Sequence, residues 1–145
     1  MKTIALRFGE TFSPECGTIA AHQSIIDSIG YVWYGKLGAP ISAKTIEEMK
    51  QSDDPRFLLI HSGKANRYWV HFSDASTEKP APAEYPTYYG DKAELMKTWF
   101  KVTAFEQASR DVMSHCFVAS SGNPLGKASR HSMSPYFIIE YKEEK

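Results

Sequence analysis

Apolar and polar residues alternate at both ends of the chain. Ile4, Leu6 and Phe8 interleave with Thr3, Ala5 and Arg7, the period-two pattern of a strand with one buried face. Tyr136-Phe137-Ile138-Ile139-Glu140-Tyr141 predicts a closing strand. Between them the period changes several times. Residues 9–17 read as a loop holding Pro14 and Cys16. Ile19, His22, Ile26 and Ile29 then recur at helical spacing, with Thr18 as a candidate N-cap and Gly30 as the glycine that ends the helix. Residues 31–36 predict a second strand. Thr45 with Glu48 predicts a capping box for a short helix that stops before Asp53-Asp54-Pro55.

Residues 57–60 and 68–72 predict a hairpin around Ser62-Gly63-Lys64-Ala65-Asn66. Residues 76–86 contain Pro80, Pro82 and Pro86 and no apolar period. They predict an extended or mobile linker that adds little to stability. A brief helix over 91–96, a strand over 98–105 and a helix capped by Ser109 and running to Cys116 complete the pattern. The sum is an α+β chain of about six strands and three or four helices. Most strands are expected in one mixed sheet, curled or closed into a small pseudo-barrel with helices at its flanks.

Composition sharpens this picture only in part. With 145 residues, 42% of them apolar and 23% charged, the chain is expected to form one soluble domain with a proper core. Lys and Arg together number 17, as do Asp and Glu, so no global field draws the protein to a polyanion and any such binding needs a local basic patch. Aromatic residues reach 13%, which a β-rich core accounts for in large part. No apolar run has the length of a membrane span, and the N-terminal apolar run breaks too early for a signal peptide, so a cytoplasmic protein is expected. Cys16 and Cys116 form no metal-type cluster. Two free thiols are the simpler reading, with a disulfide between them left open.

The candidate chemistry lies in loops and on strand faces. Residues 120–132 combine Ser120, Ser121, Gly122 and Gly126 with Lys127, Arg130 and His131, a polar loop able to donate many hydrogen bonds to an anion such as phosphate. Trp69 shares a strand face with Arg67, His71 and Ser73, opposite Tyr68, Val70 and Phe72. It is therefore the odd aromatic on a polar face, placed to stack on a base, unless a helix covers that face. Tyr34 shares its face with Lys36, and Lys36 sits between Gly35 and Gly38, where backbone can approach a ligand closely. Trp99 shares a face with Lys101 and Thr103 and either lines a site or packs under the proline-rich linker. Tyr88 and Tyr89 can close over a ligand or act as a hydrophobic latch.

The catalytic signals are sparse. His22 on the apolar face of the first helix reads as a satisfied core histidine. No zinc spacing, phosphate-binding glycine loop or nucleophile elbow is present, and no cofactor or metal is called for. Cys16 precedes the first helix, whose N-terminus can lower a thiol pKa, but the sequence does not bring it to a histidine.

Several segments carry a family likeness: Val32-Trp33-Tyr34-Gly35-Lys36 after the first helix, Phe57-Leu58-Leu59-Ile60-His61-Ser62-Gly63 followed by Arg67-Tyr68-Trp69-Val70, and Pro86-Thr87-Tyr88-Tyr89 before Trp99-Phe100-Lys101-Val102. With the order of elements, they make most of the chain resemble the PUA-like superfamily, its EVE-type members more than its PUA, ASCH or YTH members. The resemblance implies a nucleic-acid-binding module. EVE and YTH domains accept a flipped, often modified base in an aromatic pocket, PUA domains bind structured RNA, and some ASCH proteins are small enzymes acting on nucleosides or RNA. The expectation that follows is a binder of nucleic acid or nucleotide using Tyr34, Lys36, Trp69, Trp99, Ser120, Ser121, Lys127 and Arg130. The alternatives are a small ASCH-like enzyme using Lys36 and a carboxylate such as Glu15, and a protein-interaction module presenting a flat aromatic patch to a protein partner.

Overall fold

The structure is a computed structural model and describes residues 1–8, 15–61, 66–131 and 136–142. Among the described residues seven strands form one sheet: β1 (Lys2–Phe8), β2 (Val32–Lys36), β3 (Arg56–His61), β4 (Arg67–Ser76), β5 (Thr98–Gln107), β6 (Cys116–Val118) and β7 (Tyr136–Tyr141). Their spatial order is β2-β5-β4-β3-β1-β7-β6. The β1–β3 pair is parallel and every other pair is antiparallel, so the sheet is mixed as the sequence predicts. The sheet also curls. Lys36, on edge strand β2, places its Nζ 4.8 Å from the ring centre of Tyr136 on β7, sixth in the order. The fold is thus an α+β pseudo-barrel that stops short of closure.

Three apolar clusters among the described residues hold the sheet. The interior one takes Ile4, Leu6, Phe8, Val32, Tyr34, Phe57, Leu59, Val70, Phe72, Phe100 and Val102 from five strands. It is roofed by Ile19, Ile25 and Ile26 of α1 (Thr18–Ile29) and by Ile46 and Met49 of α2 (Ala43–Lys50). The outer face carries Ala5, Leu58, Ile60, Trp69, Phe137 and Ile139 under Val112, Cys116 and Leu125. Leu125 belongs to α3 (Leu125–His131) and Val112 to a short 3-10 helix, Val112–His115. The third cluster, Tyr85, Tyr89, Ala93, Met96 and Trp99, packs over β2 and β5.

Several boundaries differ from the sequence reading, each for a local reason. Gly17, not Thr18, is the N-cap of α1, and Gly30 ends it in the left-handed conformation at φ 91°, its N–H donating to the Ile26 carbonyl. The α2 cap is Ser42, whose hydroxyl accepts from the Thr45 N–H at 3.2 Å, so the helix starts earlier than the Thr45–Glu48 pair implies. The helix expected over 91–96 is 3-10 and begins earlier, at Thr87–Leu95, with a break at Gly90. The helix expected after Ser109 shrinks to Val112–His115, and Cys116 starts β6, a strand too short to leave a period. Part of the expected 120–132 loop is α3. Among the described side chains of that helix only Leu125 is fully buried, so no apolar stripe announces it. The expected 9–14 and 62–65 loop segments and Ser132 lie outside the described residues, as does the side chain of His131.

The proline-rich segment is not a mere tether. Residues 77–83 are largely exposed, but Tyr85 is buried and packs on Tyr89 and Trp99 at centroid distances of 5.7 and 5.4 Å. The segment therefore closes the third cluster over Gly35. A Cβ at Gly35 would lie 2.1 Å from Met96 Sδ and 2.9 Å from the Trp99 ring. Gly35→Ala is expected to cost about 1–3 kcal/mol as an overpacking substitution, measured by urea unfolding. An unchanged midpoint would show that this cluster is loosely packed.

Candidate functional site

The aromatic candidates do not converge. Tyr34 is 8% exposed in the interior cluster, beside His22 at 5.0 Å and Phe57 at 6.0 Å between ring centres. Trp99 has no exposed surface, lies in the third cluster and spends its indole N–H on the Met96 carbonyl at 3.2 Å. Trp69 is 6% exposed in the outer cluster. Its ring meets Tyr141 edge-on at 4.9 Å and lies under the Arg56 guanidinium at 4.6 Å. The expectation of an open stacking face on Trp69 is corrected here. Both faces of the sheet are covered, so a polar-looking strand face carries its own core.

Lys36 is likewise drawn inward. It is 5% exposed, and its ammonium donates to the carbonyls of Leu37 at 3.1 Å and Ala39 at 2.7 Å while facing the Tyr136 ring. Burial pulls its pKa down. Two of its three donor directions are spent on carbonyls, and the ring contact pins the β2 end of the sheet to β7. Ser120, Ser121, Lys127 and Arg130 are exposed near and on α3, on the outer side of the sheet.

The interior end of the sheet holds a hydrogen-bonded chain that the sequence only hinted at. His22 is fully buried and its Nδ1 lies 2.8 Å from the Thr18 carbonyl, which can only accept, so Nδ1 carries the proton. Its Nε2 then accepts from the Tyr89 hydroxyl at 2.6 Å, and that hydroxyl accepts from the Gly35 N–H at 3.2 Å. The chain ties α1, the 3-10 segment and β2 together. Burial lowers the His22 pKa to about 4 against the Thr18 bond, which raises it. This is a satisfied neutral histidine, as its place on the apolar face predicts.

An open concavity lies elsewhere, at the start of α1. It has a volume of about 390 Å³ and is lined by Phe8, Cys16, Gly17, Ile19, Ala20, Gln23, His61, Asn66 and Tyr68. The parallel pairing of β1 with β3 builds it. Phe8 and His61 are register partners at the C-terminal ends of these strands, their rings edge to face at 4.9 Å, and β4 returns with Asn66 and Tyr68. Tyr68 sits 6.4 Å from Phe8 between ring centres. Across from these rings stands the N-terminus of α1, where Gly17 at φ 93° gives no side-chain cap and no acidic residue occupies the first turn. The positive end of that helix dipole therefore borders the cleft.

The cleft combines two aromatic rings, two carboxamides and an imidazole beside a helix N-terminus, a set suited to a flat heteroaromatic ligand. The sequence singles out Cys16 and the helix start, and it places His61 and Tyr68 in family-like segments without joining them in a site. The sign that could have joined them is the family-like pair of strands around residues 57–70, whose near ends must meet the end of β1 if β1 pairs with β3. Cys16 and His61 do line one cleft, and Cys16 and Cys116 are separate thiols, one exposed and one buried.

Among the described residues no group of His, Cys, Asp and Glu could hold a metal ion, and no helix is long and apolar enough to cross a membrane. No curated protein and no solved structure matches the chain. The sequence profile of one family, described as Pua-like, matches residues 4–142, from the first strand to the end of the last, and with the curled mixed sheet it shows that the chain belongs to the Pua-like family.

Proposed function

We propose that the protein binds nucleic acid and takes an unstacked base, modified or unmodified, into the cleft at the start of α1. Pua-like domains bind nucleic acids in general terms, which supports the partner class. The observation that carries the reading is the composition of the cleft. Phe8 and Tyr68 offer ring surface, while Gln23 and Asn66, whose amide nitrogens also bond Asp27 at 2.9 Å and the Tyr68 hydroxyl at 3.5 Å, each keep a second amide hydrogen and a carbonyl able to read a base edge. Its volume of about 390 Å³ falls in the range of small-ligand sites. Exposed Lys127 and Arg130 add cationic contacts for phosphates, a local patch on a chain with no net charge. A likeness to EVE-type domains fits the same picture of a base held out of its stack.

Tyr68→Ala is expected to weaken binding to single-stranded oligonucleotides by about 1–3 kcal/mol, the worth of one base–aromatic stack, at low and high salt alike. Gln23→Ala, on the exposed side of α1, is expected to weaken it without loss of fold and to alter preference among bases. Fluorescence anisotropy with modified and unmodified oligonucleotides reads both effects. Binding unchanged in both variants would remove the cleft from the interface.

The enzyme reading draws less support, because the Lys36 ammonium is committed to two carbonyls and does not line the cleft. The interaction reading needs a flat aromatic patch. Among the described residues the exposed large apolar side chains are Ile29, Leu37 and Leu95, none of them aromatic.

A further inference from the structure

The outer face of the sheet carries a second feature at the same end as the cleft. Register sets Arg7 of β1 and Arg67 of β4 on either side of Ile60. The two arginines share the face of the outer cluster, about 10 Å apart by two strand spacings. Both keep an Nε shut off from solvent, but the rest of each guanidinium is placed differently. Arg7 stands 5.6 Å from the Phe137 ring centre and donates to the Ser129 carbonyl, which fixes the end of α3 against β1. Arg67 is half-buried, and its guanidinium has no hydrogen-bond, ion-pair or ring partner among the described residues. The carboxylate that register sets next along this face, Glu106 opposite Trp69, is occupied by His71 Nε2 at 2.9 Å. A half-buried guanidinium without an acceptor is a cost that folding alone does not explain.

We propose that Arg67 is an anion-receiving residue whose guanidinium completes its hydrogen bonds on a phosphodiester of a bound nucleic-acid strand. The choice of a nucleic-acid strand rests on the reading of the cleft given above. The planar donor fork of arginine matches phosphate oxygens, and a half-buried fork gives a stronger contact than a solvated lysine. Position also favours a strand over an acidic peptide. Asn66 and Tyr68 line the cleft while Arg67, between them, points to the opposite face. A nucleotide held in the cleft therefore brings its sugar and phosphate to the sheet end that Arg67 borders.

The test uses the full chain, a single-stranded oligonucleotide and, separately, inorganic pyrophosphate and an acidic peptide. The Arg67 Nε–Hε resonance is expected to shift on adding oligonucleotide. Arg67→Met is expected to lower oligonucleotide affinity several-fold and to reduce the salt slope by about one contact. Arg67→Lys is expected to keep the slope but recover only part of the affinity. In the free protein Arg67→Met is expected to leave the melting temperature unchanged or raised, since it removes the enclosed donor, whereas a purely structural arginine would lower it. A matching shift with pyrophosphate would show that the anion alone is recognised, which the proposal also predicts. An unchanged affinity and slope in Arg67→Met, or a shift with the acidic peptide and none with oligonucleotide, would overturn it. The two readings separate cleanly. Loss of binding in Arg67→Met but not in Tyr68→Ala defeats the cleft reading alone, and the reverse defeats this one alone.

Discussion

Trp69→Ala is expected to destabilise the protein by about 3–5 kcal/mol, the usual cost of removing a buried aromatic. Trp69 is 6% exposed, with Ile60, Val112, Phe137 and Ile139 in the same cluster. It also supports Arg56, whose guanidinium lies 4.6 Å above its ring and bonds Asp54 at 2.8 Å, while Asp54 holds His71 at 2.9 Å. Truncation removes the platform of that charged row as well as apolar area. For a domain whose total stability is of order 5–15 kcal/mol, the loss is a large share. Thermal and urea unfolding measure it, with Trp69→Phe expected to lose less. A variant that unfolds like the parent and merely binds nucleic acid less well would return Trp69 to the surface as a stacking residue.

The second large effect is a pH dependence centred on His22. In the unfolded chain this imidazole titrates near 6.5, and in the folded protein near 4, because burial disfavours its charged form. Between these values the unfolded state binds more protons, so stability rises with pH. The contribution is fully present above 6.5 and is lost as pH falls toward 4. Each pH step of one between the two values is worth about 1.4 kcal/mol, which makes the whole loss about 3 kcal/mol. Urea unfolding across this window is expected to show the loss in the parent and a flatter profile in His22→Gln. The same slope in both would mean that other groups carry the acid sensitivity. Tyr89→Phe bears on the same chain, since it leaves His22 Nε2 and the Gly35 N–H without their shared partner.

These two residues also show what can be read from the chain. His22 is legible because one face of α1 is apolar and a histidine on it must be buried and bonded. Trp69 misleads because period-two alternation marks which residues share a face but not whether that face is covered. Its cover comes from Val112, Cys116 and Leu125, distant in sequence and set in elements too short to show a period. The first and last strands and the hairpin are legible in their alternation, and they pair as integral parts of the sheet. The β1–β3 pairing is not, since nothing local records it. That pairing makes the cleft, so Phe8, His61 and Tyr68 are visible as strand residues but not as neighbours. Lys36 fails as a ligand contact for the opposite reason. Flanking glycines suggest an open backbone, yet the curl of the sheet brings Tyr136 over its ammonium.

The central claim is that the cleft at the start of α1 holds the bound base, and Cys16 offers a direct measurement of it. The chain has two cysteines. Cys116 is fully buried with its thiol pKa pushed up to about 12, while Cys16 is exposed and lines the cleft. A maleimide in brief contact with the folded protein therefore reads Cys16 alone. With a saturating single-stranded oligonucleotide the rate of Cys16 modification is expected to fall at least several-fold, and protein already modified at Cys16 is expected to bind the oligonucleotide correspondingly less well. An oligonucleotide that binds while Cys16 reacts at its original rate would place the bound strand outside the cleft and contradict the account.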